Sequence, residues 1–284
     1  MKYKNCMLCP RACGVDRTSG ATGVCGQSDK IRAARAALHF WEEPCISGAD
    51  GSGAVFFSGC NLRCVFCQNE AIAKGTMGKE ITPERLTQIF FELKEQGANN
   101  INLVTAGHFL PGVIKAMERA REEGFDLPFV YNTSGYEEVD SIRALDGLVD
   151  IYLPDLKYVS PQLSARYSHA KDYFEKASRA LEEMVRQTGE PVFYVKKKHE
   201  MTMAYSLWEK EASCGIDSVE YNQICDDPEV EILMSRGTIV RHLLLPGQTE
   251  DSKAVIRYLY ETYGDEIYIS IMNQFTPLFN VADY

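Results

Sequence analysis

The sequence predicts an α/β protein built on a parallel sheet with helical crossovers, either a complete or a partial (βα) barrel. A doubly wound open sheet is the competing arrangement. Three observations carry this. From residue 54 onward, apolar runs alternate with amphipathic segments about six times. Those runs are apolar along most of their length, as in strands covered on both faces. A chain of 284 residues is long enough for one such domain or for two modest ones.

Residues 1–50 read as a separate cysteine-rich segment, with Cys6, Cys9, Cys13, Cys25 and Cys45 and little periodicity beyond a short helix near "DKIRAARAALHF". Residues 51–284 read as the barrel. "AVFFSG" is its first strand. In "TPERLTQIFFELKEQG", Thr82 is placed to cap, Pro83 to open and Gly97 to stop a helix. "NINLVTAG" is a strand and "LPGVIKAMERAREEG" a helix; "LPFVYNTSG" is a strand and "EEVDSIRALDG" a helix. "VDIYLPDLKY" is the fourth strand, followed by a long helix over "HAKDYFEKASRALEEMVRQTG". "TIVRHLLLPG" and "EIYISIMNQF" are the last two strands, with "EDSKAVIRYLYETYG" as the helix between them. Residues 193–233 are too many for an ordinary connection and read as an insertion before the fifth strand.

The charge balance, 30 basic against 40 acidic residues, argues against nucleic-acid binding, because no long basic stripe is present. The short run Lys196, Lys197 and Lys198 reads as a solvated patch. No apolar stretch has the length of a membrane span, and the N-terminus lacks an apolar signal core. The expectation is therefore a cytoplasmic protein that does not engage membranes. There, ten cysteines point to metal or redox chemistry and not to a disulfide framework.

The densest chemistry lies in "GCNLRCVFCQN", with Cys60, Cys64 and Cys67 at C-x3-C-x2-C spacing directly after the first strand. That is the carboxyl end, where parallel βα architectures keep their active sites. A closed zinc site wants four ligands. A 4Fe–4S cluster held by three thiolates instead keeps one iron open for a substrate or cofactor.

This loop, with Phe66 before its last cysteine, resembles the signature of the radical S-adenosylmethionine superfamily. "WEEPCISG", "VYNTSGYE", "DIYLPDLKY" and "VRHLLLPG" resemble the group related to pyruvate formate-lyase activating enzyme, the activators of glycyl-radical enzymes. The resemblance covers roughly residues 1–192 and 234–277. It implies a partial (βα)6 barrel in which S-adenosylmethionine chelates the open iron. One electron from the reduced cluster then cleaves the sulfonium, leaving methionine and a 5′-deoxyadenosyl radical that abstracts hydrogen. Cys60, Cys64 and Cys67 are the implied catalytic cluster ligands. Implied partners are a glycyl-radical enzyme or another protein substrate, and an electron donor such as flavodoxin or ferredoxin. Two other readings stay open: a relative acting on a small molecule, and a noncatalytic metal-binding or electron-transfer protein.

The remaining strand ends supply candidate cofactor contacts. After the second strand stands "TAGHF"; family members often carry a glutamate here, so Thr105 and local carbonyls are the substitutes, with His108 as a further candidate. "YNTSG" offers Asn132 and Ser134 after the third strand, where relatives often have aspartate at the position of Asn132. Asp155 and Lys157 lie two apart and point the same way; the resemblance sets this pair by the cofactor carboxylate and ribose. Arg241 and His242, then Asn273 and Gln274, are later strand-end candidates. In the head, Cys6, Cys9, Cys13 and Cys25 form C-x2-C-x3-C-x11-C, which suits a second metal centre, either an iron–sulfur cluster or zinc. Cys45, Cys214 and Cys225 read as incidental thiols. Relatives usually continue beyond the sixth strand with another helical segment, so an exposed barrel edge is expected.

Overall fold

In the computed structural model, residues 3–197, 204–205 and 230–276 are described. Cys214, Cys225 and most of the insertion lie outside them. Parallel pairing starts where the apolar runs start. Strand β2 (Ser52–Phe57) pairs with β4 (Ile101–Val104), β4 with β5 (Phe129–Thr133), and β5 with β6 (Ile151–Pro154). β6 pairs with the second half of β9 (Val230–Leu243), and β9 with β10 (Tyr268–Met272). These are the six expected strands. The sheet does not close: the outer side of β2 is taken by β1 (Ile31–His39), and β1 in turn carries β3 (Lys79–Ile81), both pairings being antiparallel.

Crossover helices cover the outer face. α3 (Pro83–Glu95) is capped by Thr82, whose hydroxyl accepts from the Arg85 amide at 3.2 Å, and it ends before Gly97 at φ +95°. α3 and α4 (Leu110–Glu122) bury Leu86, Phe90, Val113 and Met117 against Val55, Phe57, Leu103 and Phe129. α7 (Tyr173–Thr188) and α8 (Thr249–Tyr263) cover the far strands. Strand alternation then aims Asn102, Asn132, Asp155 and Arg241 to the inner face.

Three features depart from the sequence reading. "DKIRAARAALHF" is strand β1, not a helix, because it lies between two ladders and their pairing overrides the helix propensity of alanine and arginine. Residues 40–48 do not stay in a separate head. Helix α1 (Pro44–Ser47) sits on the inner face of the sheet, with Ile46 packed on Val130, Ile151, Leu153 and Ile239. Asparagines of the β4 edge hold it there: Asn99 donates to Ser47 O and Asn100 to Ile46 O, each at 2.7 Å. The described ends of the insertion form an antiparallel ribbon of β7 (Val192–Lys197), β8 (Ala204–Tyr205) and the first half of β9. β9 therefore starts at Val230 and exchanges antiparallel for parallel partners around Gly237, where a Cβ would lie 3.1 Å from Pro191 Cα.

Candidate functional site

The loop leaves β2 through Gly59 at φ +90°, where a Cβ would come within 2.6 Å of the Cys25 carbonyl. Only glycine lets the loop lie this close to the cysteine-rich head. Leu62 and Phe66 anchor it in an apolar cluster with Tyr136, Tyr158, Tyr167 and Tyr173. The three cysteines group beside this cluster, with Cys60 and Cys64 packed against it, and each sulfur has a hydrogen-bond donor. The Leu62 amide donates to Cys60 Sγ at 3.4 Å, the Asn69 amide to Cys67, and the Ser168 hydroxyl to Cys64 Sγ at 2.9 Å. Donors aimed at sulfur favour thiolate over thiol, the form that ligates iron. As a free thiol Cys64 is pushed up to about 12 by burial, against the pull of Lys157, so a bound cation is what would hold it ionised. The loop thus fits a three-thiolate cluster.

Beside the sulfurs lies a mostly buried charge network. Lys157 Nζ donates to Asp155 Oδ2; Arg241 Nε donates to Asp155 Oδ1 at 3.1 Å, and Arg241 Nη1 to Glu42 Oε1 at 2.7 Å. Arg241 Nη2 reaches Asn132 Oδ1 at 2.7 Å, and Asn102 and Asn132 donate to Glu42 Oε2 at 2.8 and 3.2 Å. Burial alone would raise Asp155, but the two cations overcome it and hold the carboxyl below its ordinary value. Lys157 is raised despite its own burial, by Asp155 and by Cys64. Two carboxylates and two cations balance, and the ammonium lies within electrostatic reach of the cluster loop.

The structure therefore brings together Asn132, Asp155, Lys157 and Arg241 from the sequence-predicted set. Thr105 follows β4 at φ +60°, a strained conformation for a β-branched residue, with its amide bonded to Asn132 O at 2.8 Å. Ser134 contributes its carbonyl to the Tyr173 hydroxyl at 2.8 Å. His108 lies elsewhere: it is buried, its Nε2–H donates to Ser58 O at 2.7 Å, and burial holds its pKa down at about 4. It acts there as a neutral donor behind β2. His242 is likewise buried, with Nδ1–H donating to Leu156 O at 2.7 Å.

Several site residues escaped the sequence reading. Glu42 arrives on the segment threaded along the inner face; its signal was the "WEEP" block, whose register no periodicity reveals. Ser168 ends α6 (Pro161–Ser168), a short helix missed because it merges with the polar turn before α7. Glu137 is fully buried against Gly107, with one oxygen unpartnered, and burial raises its carboxyl to about 7.

Residues 54–196, just over half of the chain, match the family described as the Radical SAM superfamily, and the chain belongs to that superfamily. Its members hold a 4Fe–4S cluster and S-adenosylmethionine. The chain is also 30% identical over 184 residues to "Uncharacterized protein MJ0674" of Methanocaldococcus jannaschii, covering 62% of this chain and 52% of that protein. It thus spans about half the length of that curated relative. A solved structure, Streptococcus suis SuiB bound to S-adenosylmethionine, aligns at 9% identity with a TM-score of 0.43, over 76% of this chain and 39% of SuiB.

Proposed function

We propose that this superfamily enzyme binds S-adenosylmethionine between the Cys60–Cys64–Cys67 loop and the Asp155–Lys157–Arg241 network, and directs hydrogen abstraction to a glycine of a partner polypeptide. One observation carries the cofactor half. A lysine and an arginine, both mostly buried, stand at adjacent strand ends, with the lysine within charge reach of Cys64 and Cys67. Such cations suit a carboxylate-bearing cofactor docked at an open iron. When bound, the cluster and cofactor supply one-electron cleavage of the sulfonium to methionine and a 5′-deoxyadenosyl radical. Within the chain, the three cysteines hold the cluster, Lys157 attracts the cofactor carboxylate, and Asp155 and Arg241 fix the lysine's position. The glycyl target is supported by the sequence blocks shared with activating enzymes.

The test is anaerobic reconstitution with iron and sulfide, then dithionite and S-adenosylmethionine. Formation of 5′-deoxyadenosine and methionine is expected, and their absence from a cluster-loaded protein overturns the cofactor half. A candidate partner deuterated at glycine should pass deuterium into 5′-deoxyadenosine. Deuterium transfer only from a small molecule overturns the glycyl half.

A further inference from the structure

The head cysteines, Cys6, Cys9, Cys13 and Cys25, lie together although they span twenty residues of chain. Cys25 is within electrostatic reach of Cys6, Cys9 and Cys13. Every one of the four sulfurs receives an N–H donor. Arg17 Nη1 lies 3.7 Å from Cys6 Sγ, and the Val24 amide 3.4 Å from Cys13 Sγ. The Arg11 and Gln27 amides donate to Cys9 and Cys25. A thiol is a weak acceptor and needs no such provision; a metal-bound thiolate does.

Two further observations are independent of those donors. Arg17 is 1% exposed, and its other donors go to the carbonyls of Gln27, Ser28 and His108, with no carboxylate in ion-pair range among the described residues. A guanidinium buried without a counter-charge is costly, and the adjacent sulfurs are what can carry negative charge. Gly23 also presses its backbone on Cys13, where a Cβ would sit 2.7 Å from the sulfur. The chain wraps this sulfur as closely as its backbone allows.

We propose that these four cysteines hold a second iron–sulfur cluster, separate from the one at Cys60, Cys64 and Cys67. Four thiolates are the full ligand set of an iron–sulfur cluster and equally of zinc; the place of the head, against the Cys60–Cys64–Cys67 loop, favours the redox-active group. The head also touches that loop. Arg11 donates to Asn61 O at 2.7 Å and to Ser168 O at 3.1 Å, and the Asn61 side chain bonds Cys9.

The whole chain with Cys60, Cys64 and Cys67 all replaced by alanine, reconstituted anaerobically, should retain roughly two or four irons per chain with matching sulfide. It should also develop a paramagnetic signal on reduction and hold no stoichiometric zinc. The reciprocal variant, Cys9→Ala with Cys25→Ala, should lose that share of the wild-type iron, and it keeps the proposal testable if the first variant does not fold. An iron-free or zinc-loaded loop variant overturns the second cluster, as does a head variant with the full wild-type iron. Both readouts are independent of S-adenosylmethionine cleavage, so failure of the proposed reaction leaves them interpretable.

Discussion

Replacing Ser168 by alanine probes the loop chemistry through one hydrogen bond. The side chain is fully buried, and its proton is committed to Cys64 Sγ at 2.9 Å. The 2.9 Å contact with Tyr158 Oη must then be donated by the phenol, which burial keeps protonated. The result is a polarised chain, Tyr158 to Ser168 to Cys64. A hydrogen bond to a charged acceptor is worth ~1.5–3 kcal/mol net. Only the part that strengthens as the cluster gains an electron moves its potential. Taking about half of the upper value, roughly 1.4 kcal/mol, gives a tenfold change in the reduction equilibrium, or about 59 mV for one electron. The reduced cluster carries more negative charge and loses more, so the midpoint moves negative. The assay is a potentiometric titration followed by electron paramagnetic resonance, in a background lacking Cys9 and Cys25 so that one cluster is read. Tyr158→Phe should shift the potential the same way by less, and the double variant should match Ser168→Ala because the phenol acts through the serine. A wild-type midpoint in Ser168→Ala, with iron content intact, refutes the reasoning.

Lys157→Ala should weaken S-adenosylmethionine binding by roughly ten- to a hundredfold with cluster content unchanged, since a charge-assisted contact of ~1.5–3 kcal/mol is lost; unaltered affinity by equilibrium dialysis removes the lysine from the cofactor site. Glu42→Gln strips Arg241 of one of its two buried carboxylates and should cost on the order of 3 kcal/mol in urea unfolding. A midpoint equal to wild type would show that Asp155 alone suffices. Because the pKa of His108 falls from 6.5 to about 4 on folding, its contribution is fully present above pH 6.5 and is lost as the pH drops toward 4. Unfolding of the cluster-free protein should therefore show a loss of about 2 kcal/mol at pH 5 that His108→Gln abolishes. An identical pH slope in the variant assigns the effect to another group.

Local features of the chain were legible because they act through near neighbours. Thr82, Pro83 and Gly97 bound α3 where their capping and φ preferences place them. The two-residue offset of Asp155 and Lys157 fixed their common direction, and the spacing of Cys60, Cys64 and Cys67 placed three thiols on one loop. What failed depended on distant partners. β1 has a helical composition and becomes a strand only because β2 and β3 flank it. His108 occupies a promising strand end, yet its ring turns to Ser58 O, a choice that packing makes.

The sequence alone determined the six parallel strands and the main crossover helices, the three-cysteine loop and the polar strand ends, because periodicity, turn chemistry and ligand spacing are properties of contiguous residues. Tertiary structure decided that residues 40–48 thread along the inner face to place Glu42 on Arg241, that Ser168 reaches Cys64, and that the head docks on the loop through Arg11. Those contacts join positions 199, 104 and 50 residues apart. At such separations no local preference acts, and only the folded sheet brings the groups within hydrogen-bonding range.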